Sequence, residues 1–203
     1  MQEVHVIVKH VKRRNKMKKI ALTGNIGCGK SYVTRHLAKQ GVFVFDCDKI
    51  AFEVRNAHID SISKMFEIDA TDTKQLASVI FSEDAKRIKL ENYLYPFILE
   101  KMKALFQEYK DEKIIVVEVP LLYEKNWDIY FDEVWVVSVK EETAIKRLIN
   151  YRNMKEEDVR ARLKKQMPLQ KKEEKADFII YNNEEDDIKT QIQYLLKKEG
   201  VLC

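Results

Sequence analysis

Glycine, proline and cysteine are all scarce in this chain of 203 residues, at five, three and three. So little Gly and Pro leaves few flexible joints, and with no low-complexity linker and no internal repeat the elements must follow one another closely. The widely spaced Cys28, Cys47 and Cys203 argue against a disulfide framework and against a zinc site built on paired cysteines, and read as reduced thiols. No apolar run approaches the ~20 residues that span a bilayer. The longest, 114–122, is interrupted by Glu118 and Pro120. The basic start is not followed by an apolar signal-peptide core. The expected setting is cytoplasmic, with no membrane partner.

What is present is an ordinary globular composition, 45% hydrophobic and 34% charged, at a length that suits one α/β domain with helical insertions. The net charge of +4 is unevenly placed, because residues 1–19 hold seven Lys/Arg against the single acid Glu3. Residues 1–17 read as a basic N-terminal extension, with Met17 as an alternative start. The alternation at Val4, His5, Val6, Ile7 and Val8 fits an added edge strand. A basic arm can bind nucleic acid, but the expectation here is no nucleic-acid partner and a monomer.

Residues 20–23 form a short apolar strand that runs into a Gly-rich turn, and 30–40 read as a helix with Val33, Leu37 and Ala38 on one side and Gly41 as its stop. A second buried strand, 42–45, leads into Asp46-Cys47-Asp48. From there to about residue 110 the apolar residues, among them Met65, Leu76, Ile88, Leu94, Ile98 and Met102, recur at helical spacing. The β-branched runs 114–119 and 134–139 suit strands buried on both faces of a parallel sheet. Charged helices at 141–150 and 156–166, joined near Asn153, precede a last strand at 178–181 and a helix over 186–198. Strands alternating with helices predict a three-layer α/β sandwich with a parallel sheet, whose ligands bind at the carboxyl ends of the strands.

Gly24-Asn25-Ile26-Gly27-Cys28-Gly29-Lys30-Ser31 matches G-x-x-x-x-G-K-[ST] in full, between a strand and a helix. The glycines let backbone N–H groups turn inward as an anion nest at a helix N-terminus. The predicted nucleotide contacts are Gly27, Cys28, Gly29, Lys30, Ser31 and Tyr32, with Lys30 bridging the β- and γ-phosphates of ATP and the Ser31 hydroxyl on Mg2+. Cys28 and Cys47 flank this site, where oxidation would block the nucleotide.

Asp46 and Asp48 leave the second strand at the same sheet edge. The pair can hold an acceptor hydroxyl and a hydrated Mg2+, or it can simply cap the next helix. Glu118 ends its strand where P-loop proteins place an acid near the metal, so Ser31, Asp46 and Glu118 form the expected metal set. Glu124 reads equally as a surface loop residue.

Together these motifs resemble the dephospho-CoA kinase family. Residues 21–31 are similar to its A-L-T-G-G-I-G-S-G-K-S, Asp46-Cys47-Asp48-Lys49-Ile50-Ala51 to its D-A-D-x-I-A, and Val119-Pro120-Leu121-Leu122-Tyr123-Glu124 to its v-P-L-L-f-E. Arg147, Arg162, Gln166, Lys175, Ala176-Asp177, Ile180 and Asn182 fall where the family has R, R-x-x-x-Q, K and A-D-x-x-I-x-N. The resemblance implies a P-loop kinase of the nucleoside-monophosphate-kinase type that phosphorylates the ribose 3'-hydroxyl of dephospho-CoA with ATP and Mg2+. It implies that Asp48, Lys30 and Arg147 are catalytic, that the core spans 18–51 and 112–140, that a CoA-binding helical insertion covers 52–111, that a lid covers 141–170, and that the core returns over 171–203. Departures fall at Asn25 for a Gly, Tyr32 for Thr, Phe52 for Arg, Tyr95 for His, and Tyr151-Arg152 for Arg-Asp. Loss of the cation at 52 weakens the hold on the CoA moiety unless Arg55, one turn on, replaces it. The rival expectations are a nucleoside or nucleoside-monophosphate kinase, and a non-catalytic nucleotide-binding protein.

Overall fold

The computed structural model describes residues 17–202. The basic arm and its edge-strand pattern lie outside them, as does Cys203. Five short runs rich in Ile, Val and Phe make the strands, because branched and aromatic side chains fit a pleated surface covered on both sides. They are β1 (Lys18–Thr23), β2 (Phe43–Asp46), β3 (Ile114–Glu118), β4 (Glu133–Ser138) and β5 (Phe178–Tyr181). They pair in parallel in the order β2-β3-β1-β4-β5.

Side chains alternate faces along each strand, and the two cores divide accordingly. Ala21, Val117, Val134 and Val136 point to one core, while Ile20, Leu22, Val116, Trp135 and Val137 point to the other. The second core is closed by α1 (Lys30–Lys39), through Val33 and Leu37, and by the final helix, through Ile188, Ile192, Leu195 and Leu196. The first is closed by the helical insertion, which resolves into α2 (Cys47–Ala57), α3 (Ile59–Phe66), α4 (Thr73–Ser82) and α5 (Asp84–Glu108). In α5 the buried residues are Leu90, Leu94, Ile98 and Met102, one row at a spacing of four, which turns a single stripe to the sheet. Ile88 lies off that row and is 47% exposed, so its place in the apolar pattern is corrected.

α2 begins at Cys47, inside the segment expected to be core. After β4 come α6 (Glu141–Arg152), α7 (Glu156–Lys164), the short α8 (Leu169–Glu173), β5 and α9 (Ile188–Lys198). The joint between α6 and α7 is Asn153, in the left-handed conformation at φ 50° that Asn tolerates better than most side chains. Neither α8 nor the 3-10 turn Asp128–Tyr130 was expected from the sequence; three- and five-residue elements are too short to show a period. Among the described residues, no helix is long and apolar enough to cross a membrane.

Candidate active site

The loop after β1 takes its shape from glycines that other residues could not replace. Gly24, Gly27 and Gly29 have φ of 145°, 82° and 90°, and a Cβ on each would collide with a neighbour: the Val137 carbonyl at 2.5 Å, the Ala144 carbonyl at 2.9 Å and the Asn182 amide at 2.1 Å. Gly29 precedes α1, and among the described residues no side chain caps that helix. Its first N–H groups therefore present a partial positive charge to the cleft. Lys30 Nζ curls over the loop, donating to the carbonyls of Gly24 at 3.1 Å and Asn25 at 3.4 Å.

Two N–H groups of the loop are already engaged. That of Cys28 donates to Asn25 O at 3.2 Å, and that of Ile26 to Gln166 Oε1 at 2.9 Å. Cys28 is fully buried, and burial pushes its thiol pKa up; burial likewise pushes Cys47 up to about 12. Both thiols are buried and shifted toward the protonated form, an environment opposite to that of reactive, exposed thiolates.

Three acids converge where β2 and β3 end. Asp46 and Glu118 are Cα partners in the ladder. Asp46 Oδ1 accepts the N–H groups of Asp48 at 2.9 Å and Lys49 at 3.4 Å, so Asp46 is the N-cap of α2. The capping reading of this aspartate therefore holds, and its second oxygen remains open to the cleft side. Asp48 stands in the first turn. Its side chain is exposed, yet partial desolvation and then the Asp46 carboxylate raise its pKa, with Lys30 opposing. Glu118 is raised by burial first and then by Asp46 and Asp48, while Lys30 and Arg152 pull it back. Arg152, one place off the family position, thus acts on the acid at the end of β3.

Two cavities flank the start of α1. One, of 910 Å³, is walled by Gly29, Tyr32, Arg147, Tyr151, Asn182 and the turn before α9. The other, of 640 Å³, is walled by Ser31, Asp46, Lys49, Glu118 and the facing sides of α1, α2 and α5. Arg35 borders both, its Nε donating to Ser31 O at 3.1 Å. Arg147 Nη1 reaches 3.9 Å from the position a Cβ of Gly29 would occupy, which brings the lid arginine to the phosphate loop. Ile26 packs against the lid cluster of Ile145, Leu148 and Val159, so the loop and α6 are one packed unit.

Ser31, Asp46 and Glu118 reach one cavity with a hydroxyl and two carboxylates. Among the described residues no group of three or more His, Cys, Asp and Glu could hold a metal unaided. A hard oxygen set of this size fits Mg2+ that arrives with phosphates and keeps several of its waters.

Phe52 is 55% exposed, and the Arg55 guanidinium lies 4.8 Å from its ring centroid and donates to Asn56 Oδ1 at 3.2 Å; neither residue is among the walls of the two cavities beside α1. Tyr95 packs edge-on to Trp127 at 5.3 Å, away from the reacting groups. Of the residues singled out for the lid, Arg162 makes no contact with the loop that would assign it a role there.

Several contacts that matter here were not visible in the sequence. Lys172 of α8 is wholly buried, with Nζ 2.9 Å from Glu124 Oε1 and donating to Pro120 O at 3.2 Å. Burial pushes its ammonium pKa down and Glu124 opposes. Glu124 also accepts the Met167 N–H at 2.8 Å, so it is an internal tie between the 120–124 loop and the lid root rather than a surface loop residue. Asn182 donates to the Cys28 carbonyl at 2.7 Å, fastening the phosphate loop to the end of β5. A lone Lys in a Lys-rich run gives no signal until tertiary packing places it, and the motif that contains Asn182 does not say what its side chain holds.

Comparison with known proteins agrees with this geometry. A dephospho-CoA kinase family model matches residues 18–187. A dephospho-CoA kinase from Shouchella clausii is 36% identical over 176 residues, covering 81% of this chain and 89% of its own. One from Aquifex aeolicus is 34% identical over 176 residues, covering 82% and 89%. Among solved structures, a Thermus thermophilus protein superposes with a TM-score of 0.83 at 25% identity, covering 91% of this chain and 98% of its own. A Campylobacter jejuni dephospho-CoA kinase superposes at 0.65 and 26%, covering 89% and 96%. With a family model spanning residues 18–187 and a relative 36% identical over most of both chains, the chain belongs to the dephospho-CoA kinase family.

Proposed function

We propose that this chain transfers the γ-phosphoryl group of ATP to the ribose 3'-hydroxyl of dephospho-CoA, giving coenzyme A and ADP, the last step of CoA biosynthesis. The observation that carries the reading is the pair of cavities on either side of the start of α1, which share Arg35 as a common wall. One sits over the helix start that receives nucleotide phosphates, and the other runs from the carboxylates along the helical insertion.

In the step itself the acceptor 3'-oxygen attacks the γ-phosphorus in line. The bond from that phosphorus to the β,γ-bridging oxygen breaks, and the acceptor proton passes to Asp48. Phosphoryl transfer depends mainly on positioning and charge stabilisation. Lys30 and Arg147 neutralise charge growing on the transferred group and on the ADP leaving group, while the N–H groups at the start of α1 hold the α- and β-phosphates. Ser31, Asp46 and Glu118 would hold Mg2+, which would supply charge neutralisation to the reacting phosphates. Residues 52–111 serve as the acceptor-binding region and 141–170 as the lid, whose closure excludes water that would otherwise hydrolyse ATP.

The test is product identity. The chain, MgATP and dephospho-CoA should yield a product heavier by one phosphoryl group, carried as a ribose 3'-monoester in the phosphorus NMR spectrum. An unmodified acceptor, or a phosphoryl group elsewhere on it, would overturn the assignment.

A further inference from the structure

The acceptor-side cavity does not end at the reacting groups. Glu53 and Lys101 border both it and a second cavity of 290 Å³, whose other walls include Val54, Ala57, His58 and Phe97. The two side chains are ion-paired across the groove between α2 and α5. The pair is well exposed, at 41% for Lys101 and 58% for Glu53. Exposed pairs contribute little to stability, so Lys101 can exchange Glu53 for a stronger anion at small cost.

The lining changes character along this path. Arg35, Lys49 and Lys101 are the cations on the larger cavity. Arg35 is engaged with the Ser31 carbonyl, and Lys49 lies in the first turn of α2, its backbone N–H on Asp46 Oδ1 at 3.4 Å. Lys101 alone of the three stands at the junction. Beyond it the walls become apolar and aromatic, with His58 and Phe97 stacked at 4.0 Å between centroids and His58 Nδ1 3.1 Å from Tyr93 Oη. The ligand that fits this order carries a ribose at the phosphate loop, an anionic linkage at the junction, and a less polar extended chain beyond.

Resting on the dephospho-CoA reading, we infer that Lys101 is the specificity residue for the acceptor's diphosphate: it leaves Glu53 on binding and donates to the diphosphate oxygens, and the acceptor's amide arm runs on into the His58–Phe97 cleft.

The experiment compares steady-state kinetics of the wild-type chain with Lys101→Met, Lys101→Arg and Glu53→Gln variants. A lost charge-assisted hydrogen bond predicts that Lys101→Met raises KM for dephospho-CoA about 10- to 100-fold, with KM for ATP and kcat within about twofold. Lys101→Arg should restore most of the loss. Glu53→Gln, which frees the lysine, should lower KM severalfold. Inhibition by adenosine, which lacks the diphosphate, should have the same constant in wild type and Lys101→Met. An unchanged KM for dephospho-CoA in Lys101→Met overturns the inference and leaves the function standing. A wild-type chain that does not turn over dephospho-CoA overturns both.

Discussion

Under the proposed mechanism, Asp48 must accept the acceptor's proton from an electrostatically unfavourable position. Its pKa is raised by partial desolvation and by Asp46, and Lys30 only partly offsets this. A base in this state must lose its proton before it can accept another. The kcat/KM for acceptor should therefore fall about tenfold per pH unit on the acid side, with a midpoint above the ordinary aspartate value of about 3.9. Asp48→Asn should abolish that limb and lower kcat by ~10²- to 10⁴-fold. The sign for stability is the reverse. A raised carboxylate pKa means the folded state holds the proton more tightly than the unfolded chain, so this group's contribution falls as pH rises from the unfolded to the folded value. At neutral pH Asp48→Asn should melt no lower than wild type, and a lower melting temperature would contradict this account of the charge cluster. Lys172 gives the opposite case. Lys172→Met leaves Glu124 buried without its cation, a change that typically costs ~3–5 kcal/mol, measured by urea unfolding, and adding Glu124→Leu should recover most of it. The acids and Lys30 were legible in the sequence because motif spacing reports them directly. Lys172 was not, because its burial is a property of how α8 docks on the 120–124 loop.

At the scale of elements, the phosphate loop works only with α6 lying on it. A methyl group at residue 27 would meet the Ala144 carbonyl at 2.9 Å and Leu148 at 3.0 Å from a backbone with φ of 82°. Gly27→Ala should therefore push α6 off the loop, raising KM for ATP tenfold or more and destabilising the fold by ~1–3 kcal/mol. A variant with wild-type ATP kinetics would show that this contact yields freely. α2 offers a cleaner separation of structural and chemical roles, because Asp46 caps the helix through one oxygen and faces the cavity as well. Asp46→Asn keeps the cap and loses the charge, so melting should stay near wild type while the Mg2+ concentration for half-maximal activity rises. Asp46→Ala should add a loss of about 1 kcal/mol from the missing cap. The sequence showed strands and long amphipathic helices well, since periods of 2 and 3.6 need only a few repeats. It did not divide the insertion into four helices, because the breaks at His58 and Glu83 carry no Gly or Pro to mark them.

At the scale of the whole molecule, the parallel sheet gathers groups 100 residues apart onto one edge and leaves the helices to supply specificity. The order of strands was not in the sequence; it follows from β1 inserting between β3 and β4, which puts the phosphate loop at the centre of the edge. Fold class and the phosphate loop were legible in local patterns. The place of Lys101 on the groove was not, because nothing local separates a lysine facing a groove from one facing water. The account therefore stands most directly on acceptor choice. The decisive measurement is ADP release from MgATP by the wild-type chain and by Asp48→Asn, with dephospho-CoA, adenosine, AMP, CMP or no acceptor. Stimulation by dephospho-CoA alone, lost in Asp48→Asn, is the predicted result; preferential stimulation by a nucleoside or nucleotide, or no stimulation by any acceptor, would contradict it.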